Sequence, residues 1–172
     1  QTIMMANEIA VGLSQLHKHN IVCADLKPGN VLMDKDGALV ISDFGLAIMV
    51  DRSIMRSASS ISGAVGGTAR YMAPEQHDPD TFGSVSTKAD LWALGCIIVE
   101  MVTGEPVWTG KQATAILMDV VVKRNSPPIP DHLPQELQAA LRLCFVHDQA
   151  SRGSAEDIIA ALQPIVAAEE RR

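Results

Sequence analysis

The stretch LWALGCIIVEMV, Leu91–Val102, is apolar at every position except Gly95 and Glu100. A helix written this way has no solvent face, so other elements must surround it. It is too short for a membrane span and carries an acidic residue. It reads as the central helix of a packed domain, from about Thr87 to Thr103, with Ser84 or Ser86 as its cap and Gly104 just past its end. A chain of 172 residues with 47% apolar composition can wrap such a helix in one folding unit.

The wrapping elements follow from periodicity. Ile3, Ala6, Ile9, Ala10, Leu13 and Leu16 recur at helical spacing and predict an amphipathic helix over about 2–19. Further helices are predicted at about 111–124, 134–146 and 154–169, the second opened by Pro134 and the third capped by Ser154. After the first helix, the short apolar runs IVC, VLM and ALVIS alternate with turns, and DKDG, Asp34–Gly37, reads as a hairpin turn between two strands. Asp34-x-Asp36-Gly37 resembles the start of a calcium loop, but the later ligands and closing Glu are missing. From Asp51 to Gly67 neither period survives, and SIMRSASSISGAVGG reads as a mobile loop. The expected fold class is mainly α with short β-hairpins.

Charge and cysteines narrow the function. Fourteen basic and twenty acidic residues give a formal charge of −6, and the basic ones are scattered singly, which argues against a nucleic-acid partner. Cys23, Cys96 and Cys144 are an odd number at wide spacing without a CxxC, which argues against a disulfide framework and a zinc site and suggests a reducing, cytoplasmic setting.

The loop CADLKPGN, Cys23–Asn30, gathers a carboxylate, an ammonium and a carboxamide around Pro28 and Gly29. Taken singly, Asp25 reads as a turn carboxylate and Lys27 as a surface charge. Eighteen residues after Asp25 stands DFG, Asp43–Gly45, and further on APE, Ala73–Glu75, inside GTARYMAPEQ. In this order the three motifs, with DLWALG and a lone Arg152 in HDQASRG, resemble the eukaryotic protein kinases of the serine/threonine type. The resemblance covers essentially the whole chain and implies a C-terminal lobe, with a catalytic loop at 23–30, an activation segment at 43–75 and a helical subdomain at 86–169.

It also implies roles. Asp25 would be the catalytic base toward a Ser or Thr hydroxyl of a protein substrate, and Lys27 would contact the γ-phosphate of ATP. Asn30 and Asp43 would hold Mg2+, and Leu32 joins Lys27, Asn30 and Asp43 among the residues that bind ATP and its metal. Glu75 and Arg152 would form an ion pair, and Asp90 would accept backbone amides of the catalytic loop. Lys27-Pro28 and Thr68 fit the serine/threonine type.

The chain departs from the pattern in two places. Cys23-Ala24 stands where most kinases carry His-Arg. Cys23 is expected to pack under Phe44 without redox chemistry. With Ala24 the loop lacks an Arg to pair with a phosphate, so control through Ser53, Ser57, Ser59, Ser60 or Ser62 would use another route. Nor does the chain contain a GxGxxG or a strand Lys of the VAIK kind, which suggests a fragment without the upper lobe that covers ATP. Its upper face should then be apolar, and its own phosphate transfer weak. The competing reading is a non-catalytic pseudokinase scaffold that binds a partner protein.

Overall fold

The computed structural model describes residues 1–42, 48–49 and 68–171, with the backbone alone at 48–49. Phe44 and Asp43 therefore lie outside the described residues, as do the 51–67 segment and its serines. The architecture is mainly helical. In chain order it comprises α1 (Thr2–Lys18), β1 (Ile21–Val22), β2 (Val31–Met33), β3 (Leu39–Ile41), β4 (Ile48–Met49), α2 (Pro74–His77), α3 (Pro79–Phe82), α4 (Lys88–Thr103), α5 (Ala113–Leu117), α6 (Gln135–Cys144) and α7 (Ala155–Glu169).

The apolar helix is α4, and from Ala89 to Val99 it is buried on every face. Burying its Leu, Ile, Val and Trp side chains contributes roughly 1.5–3 kcal/mol each. Helices α1 and α6 pack against it, and α7 packs against both of them. Gly95 permits the α4–α6 approach, since a Cβ there would stand 2.7 Å from Cys144 Cβ and 2.8 Å from the Phe145 ring. Gly104 ends the helix at φ 75°, a conformation glycine adopts without strain. At the other end, Thr87 occupies the cap position while the Ser86 hydroxyl accepts from Lys88 N–H at 3.2 Å.

Helix α1 buries Ala6, Ile9, Ala10 and Leu13, the predicted stripe. Ser154 caps α7 by accepting from Asp157 N–H, and Asp157 Oδ2 accepts in return from Ser154 N–H at 2.8 Å. The helix expected over 111–124 divides. After α5 the chain widens into a π-turn, Met118–Val122, with Lys123 N–H donating to Met118 O. Asp119 organises this widening: its carboxylate accepts from Lys111 and Lys123, and its carbonyl accepts from Asn125 N–H at 2.8 Å.

Strands β2 and β3 pair antiparallel, Val31 with Ile41, Leu32 with Val40 and Met33 with Leu39. The Asp34–Gly37 turn forms as expected, with Asp34 Oδ1 accepting from Asp36 and Ala38 N–H and Gly37 at φ 85°. Glu8 fastens this hairpin to α1 by accepting from Leu39 N–H at 3.0 Å. Val31 and Ile41 face the core, whereas Leu32 and Val40, paired on the opposite face of the hairpin, are exposed, as are Met33 at the hairpin end and Val11 on α1. Pairing of β1 with β4 joins Ile21 to Met49 and Val22 to Ile48.

Candidate active site

The loop after β1 would be free to move were its backbone not held. Asp90, in the first turn of α4 and 1% exposed, holds it. Its Oδ2 accepts from Cys23 N–H at 2.9 Å and its Oδ1 from Ala24 N–H at 3.0 Å. His17, from the end of α1, completes the set with Nε2 2.8 Å from Asp90 Oδ2. A buried carboxylate with all these partners is a strut, and its first-turn position adds the favourable end of the helix dipole.

Between these bonds the backbone takes a strained turn. Ala24 sits at φ 59°, a region side-chain-bearing residues seldom occupy. Its carbonyl accepts from Gln76 Nε2 at 2.6 Å, and Gln76 Oε1 accepts from Ala73 N–H at 3.0 Å. The peptide group on either side of Ala24 is thus fixed from two directions, one from α4 and one from α2.

Asp25 follows at once. Its Oδ2 accepts from Lys27 Nζ at 2.9 Å, while its Oδ1 is buried without a partner among the described residues. The side chain lies 14% exposed in a cleft lined by Leu26, Thr68, Tyr71, Met72 and Asp90. Pro28 opens a single 3-10 turn whose last residue, Asn30, is buried. Asn30 Nδ2 donates to the Asp25 carbonyl at 2.9 Å, which leaves the amide oxygen as its available group. Ser42, the residue before Asp43, donates from its N–H to Asn30 O at 2.8 Å and from its hydroxyl to the same oxygen at 3.1 Å. Leu32 lies one turn away on the outward face of β2, half exposed.

Cys23 is buried, and its thiol is pushed up to about 12, first by burial and then by the nearby Asp90 carboxylate. A thiol so far from ionising is a poor nucleophile, and Phe44, its expected packing partner, lies outside the described residues. Tyr71 is likewise pushed above its usual range by burial, and its hydroxyl donates to Glu100 Oε2 at 2.6 Å. This explains why the apolar helix tolerates Glu100. Burial also pulls His77 down to about 4, so it stays neutral, with its Nε2 lacking a partner.

Below the loop, Glu75 and Arg152 are both fully buried and meet as a bidentate pair at 2.6 and 2.9 Å. The remaining guanidinium donors go to the carbonyls of Val146, Lys88 and His147. The guanidinium also lies over the Trp92 ring, 5.4 Å from its centroid. The pair locks α2 onto the α6–α7 connection.

The structure therefore gathers Asp25, Lys27 and Asn30 on one loop and sets Leu32 beside it. Sequence reasoning did not single out His17 or Gln76; His17 read as part of the polar end of the first helix and Gln76 only as the last residue of GTARYMAPEQ, with nothing local to mark either distant partner. Among the described residues no cluster of three His, Cys, Asp or Glu side chains forms a metal-binding group. Nor is any described helix long and apolar enough to cross a membrane.

Comparison with known sequences agrees with this geometry. The protein kinase domain family matches residues 1–162. The protein kinase of the outer chloroplast membrane 1 of Arabidopsis thaliana is 36% identical over 96% of this chain and 27% of its own length. Mitogen-activated protein kinase kinase kinase 20 of the same plant is 37% identical over 86% of the chain and 43% of its own. Mouse mitogen-activated protein kinase kinase kinase 4 is 31% identical over 91% of the chain and 10% of its own. The chain thus spans less than half the length of these relatives.

Proposed function

The chain belongs to the eukaryotic protein kinase family, and from that premise we propose that residues 1–172 are the C-terminal lobe of a serine/threonine protein kinase. The intact polypeptide transfers the γ-phosphate of ATP to Ser or Thr hydroxyls of protein substrates. The boundaries are the catalytic loop 23–30, the activation segment 43–75 and the helical subdomain 86–169. The exposed Leu32 and Val40, paired on the outward face of the β2–β3 hairpin, support a covering lobe elsewhere in that polypeptide.

One observation carries the reading: among the described residues Asp25 Oδ1 is buried with an unused lone pair. A substrate hydroxyl donating there is oriented for attack on the γ-phosphorus, and its proton has an acceptor as the phosphorus–oxygen bond forms and ADP departs. Lys27, held on the other carboxylate oxygen, brings positive charge to the phosphoryl group in flight. The free amide oxygen of Asn30 and the carboxylate of Asp43 make an all-oxygen donor set that fits Mg2+. Bound there, the cation supplies neutralisation of the ATP phosphates. Leu32 offers the nucleotide an apolar surface.

Magnesium-dependent phosphate transfer by the intact polypeptide is the test. It should vanish in Asp25→Asn and in Asp43→Asn. Transfer at the unaltered rate in Asp25→Asn would sink the assignment, and silence of the unaltered polypeptide under activating conditions would favour the scaffold reading.

A further inference from the structure

We infer that Gln76 is a positioning residue for Asp25, taking up on the backbone the control of the catalytic loop that a side chain at position 24 cannot exert. The inference rests on the role of Asp25 proposed above. Gln76 Nε2 donates to the carbonyl of Ala24, which belongs to the same peptide group as the Asp25 amide. Rotation of that group, about ψ of Ala24 and φ of Asp25, would displace the Asp25 side chain, in a stretch already held away from ordinary backbone by the left-handed Ala24. Asp90 restrains the amides of Cys23 and Ala24, on the other side of the Ala24 α-carbon, and leaves the Ala24 carbonyl to Gln76. Gln76 is itself anchored: its oxygen accepts from Ala73 N–H, and its neighbour Glu75 is locked to Arg152. The geometry of the APE segment is thereby transmitted through a single side-chain amide to the carboxylate that does the chemistry.

The two ends of the Gln76 amide have separable roles, the oxygen serving α2 and the nitrogen serving the loop. Gln76→Glu keeps the acceptor for Ala73 N–H and loses the donor to Ala24. Gln76→Met loses both. In the intact kinase at pH 8, both variants should lower kcat by roughly tenfold to a hundredfold with the KM for ATP unchanged. Both should lower the Tm at pH 8, Gln76→Met through the two lost bonds and Gln76→Glu through a carboxylate facing the Ala24 carbonyl.

A pH profile separates positioning from simple capping. The new carboxyl would share its cleft with Asp25, Asp90 and Tyr71, beside the paired Lys27 and Glu75, so it ionises reluctantly. Once protonated it regains a donor for the Ala24 carbonyl. The ratio of Gln76→Glu kcat to unaltered kcat should therefore climb as pH is lowered from 8 to 6. A Gln76→Glu enzyme with unaltered kcat at pH 8, or a reduced ratio that stays flat with pH, overturns the inference.

Asp25→Asn run alongside distinguishes the underlying reading. If that variant transfers phosphate normally, the proposed function fails by itself, and Gln76 is then judged by hydrogen exchange. Faster exchange at the Cys23 and Ala24 amides in Gln76→Glu supports the loop clip, and unchanged exchange refutes it.

Discussion

Asp25 and Asp90 line one cleft and serve one loop, yet their bonding differs. Both oxygens of Asp90 are committed, to two backbone amides and to His17. Asp25 commits one oxygen to Lys27 and keeps the other free of partners although it is out of water. The difference separates a carboxylate that holds a shape from one that has work left to do. A buried acceptor without a donor costs folding free energy, about 1–3 kcal/mol, and such a cost persists where a ligand group later meets it.

The largest test of this contrast is Asp25→Asn in the intact polypeptide. Phosphate transfer should fall by ~10²–10⁴-fold while the urea midpoint stays where it was. A midpoint that moved with the rate would make Asp25 a strut like Asp90 and erase the distinction.

Glu75→Ala probes the saturated side more severely. It leaves Arg152 charged and fully buried, and should cost about 3–5 kcal/mol in denaturant unfolding. A loss below about 1 kcal/mol would mean that water reaches the guanidinium. Asp90→Asn comes next, at roughly 2 kcal/mol, because a carboxamide offers one acceptor where two amides and an imidazole now converge. Its transfer rate should drop less than that of Asp25→Asn.

The smallest effect is expected at Asp119, whose carboxyl is held down to about 2 by hydrogen bonds from Lys111 and Lys123. A depressed folded-state pKa gives stability that is present above the unfolded value of about 4 and is lost as pH falls toward 2. Asp119→Asn should therefore lower neutral stability less than Glu75→Ala or Asp90→Asn and flatten the acid side of the stability profile in that window. Both lysines are substantially exposed, so added salt should weaken the contribution, unlike that of Glu75.

These residues also show what can be read before a structure exists. The long elements are legible because burial imposes a period: α1, α4 and α7 lie within a residue or two of their predicted bounds, and the Ser154 cap and Gly104 stop are where local chemistry puts them. Helices α2 and α3 are four residues each, and β1 and β4 two, too short for any period to register. The π-turn escapes because it depends on where the Asp119 partners sit, not on hydrophobic spacing. Asp25, Lys27 and Asn30 are legible as a set because they share eight residues of chain. The roles of Glu75, Arg152 and Asp90 are visible only through the family resemblance, since their partners lie 66 to 77 residues away. Gln76 has neither advantage: its partner is 52 residues distant, and although it ends the GTARYMAPEQ stretch the resemblance gives it no role.

The burial of Arg152 against Glu75 has a consequence for biosynthesis. With 77 residues between the partners, a ribosome adding about 5–20 residues per second leaves Glu75 waiting roughly 4–15 s. Ser14 waits longer for Glu156, 142 residues on. Within that interval, from the emergence of Thr103 to that of Cys144, the largely apolar α4 stands without α6 to cover it. The nascent chain must therefore pass through a stage in which its most hydrophobic helix has α1 but not α6 against it, and a chaperone that recognises extended apolar surface would engage it there.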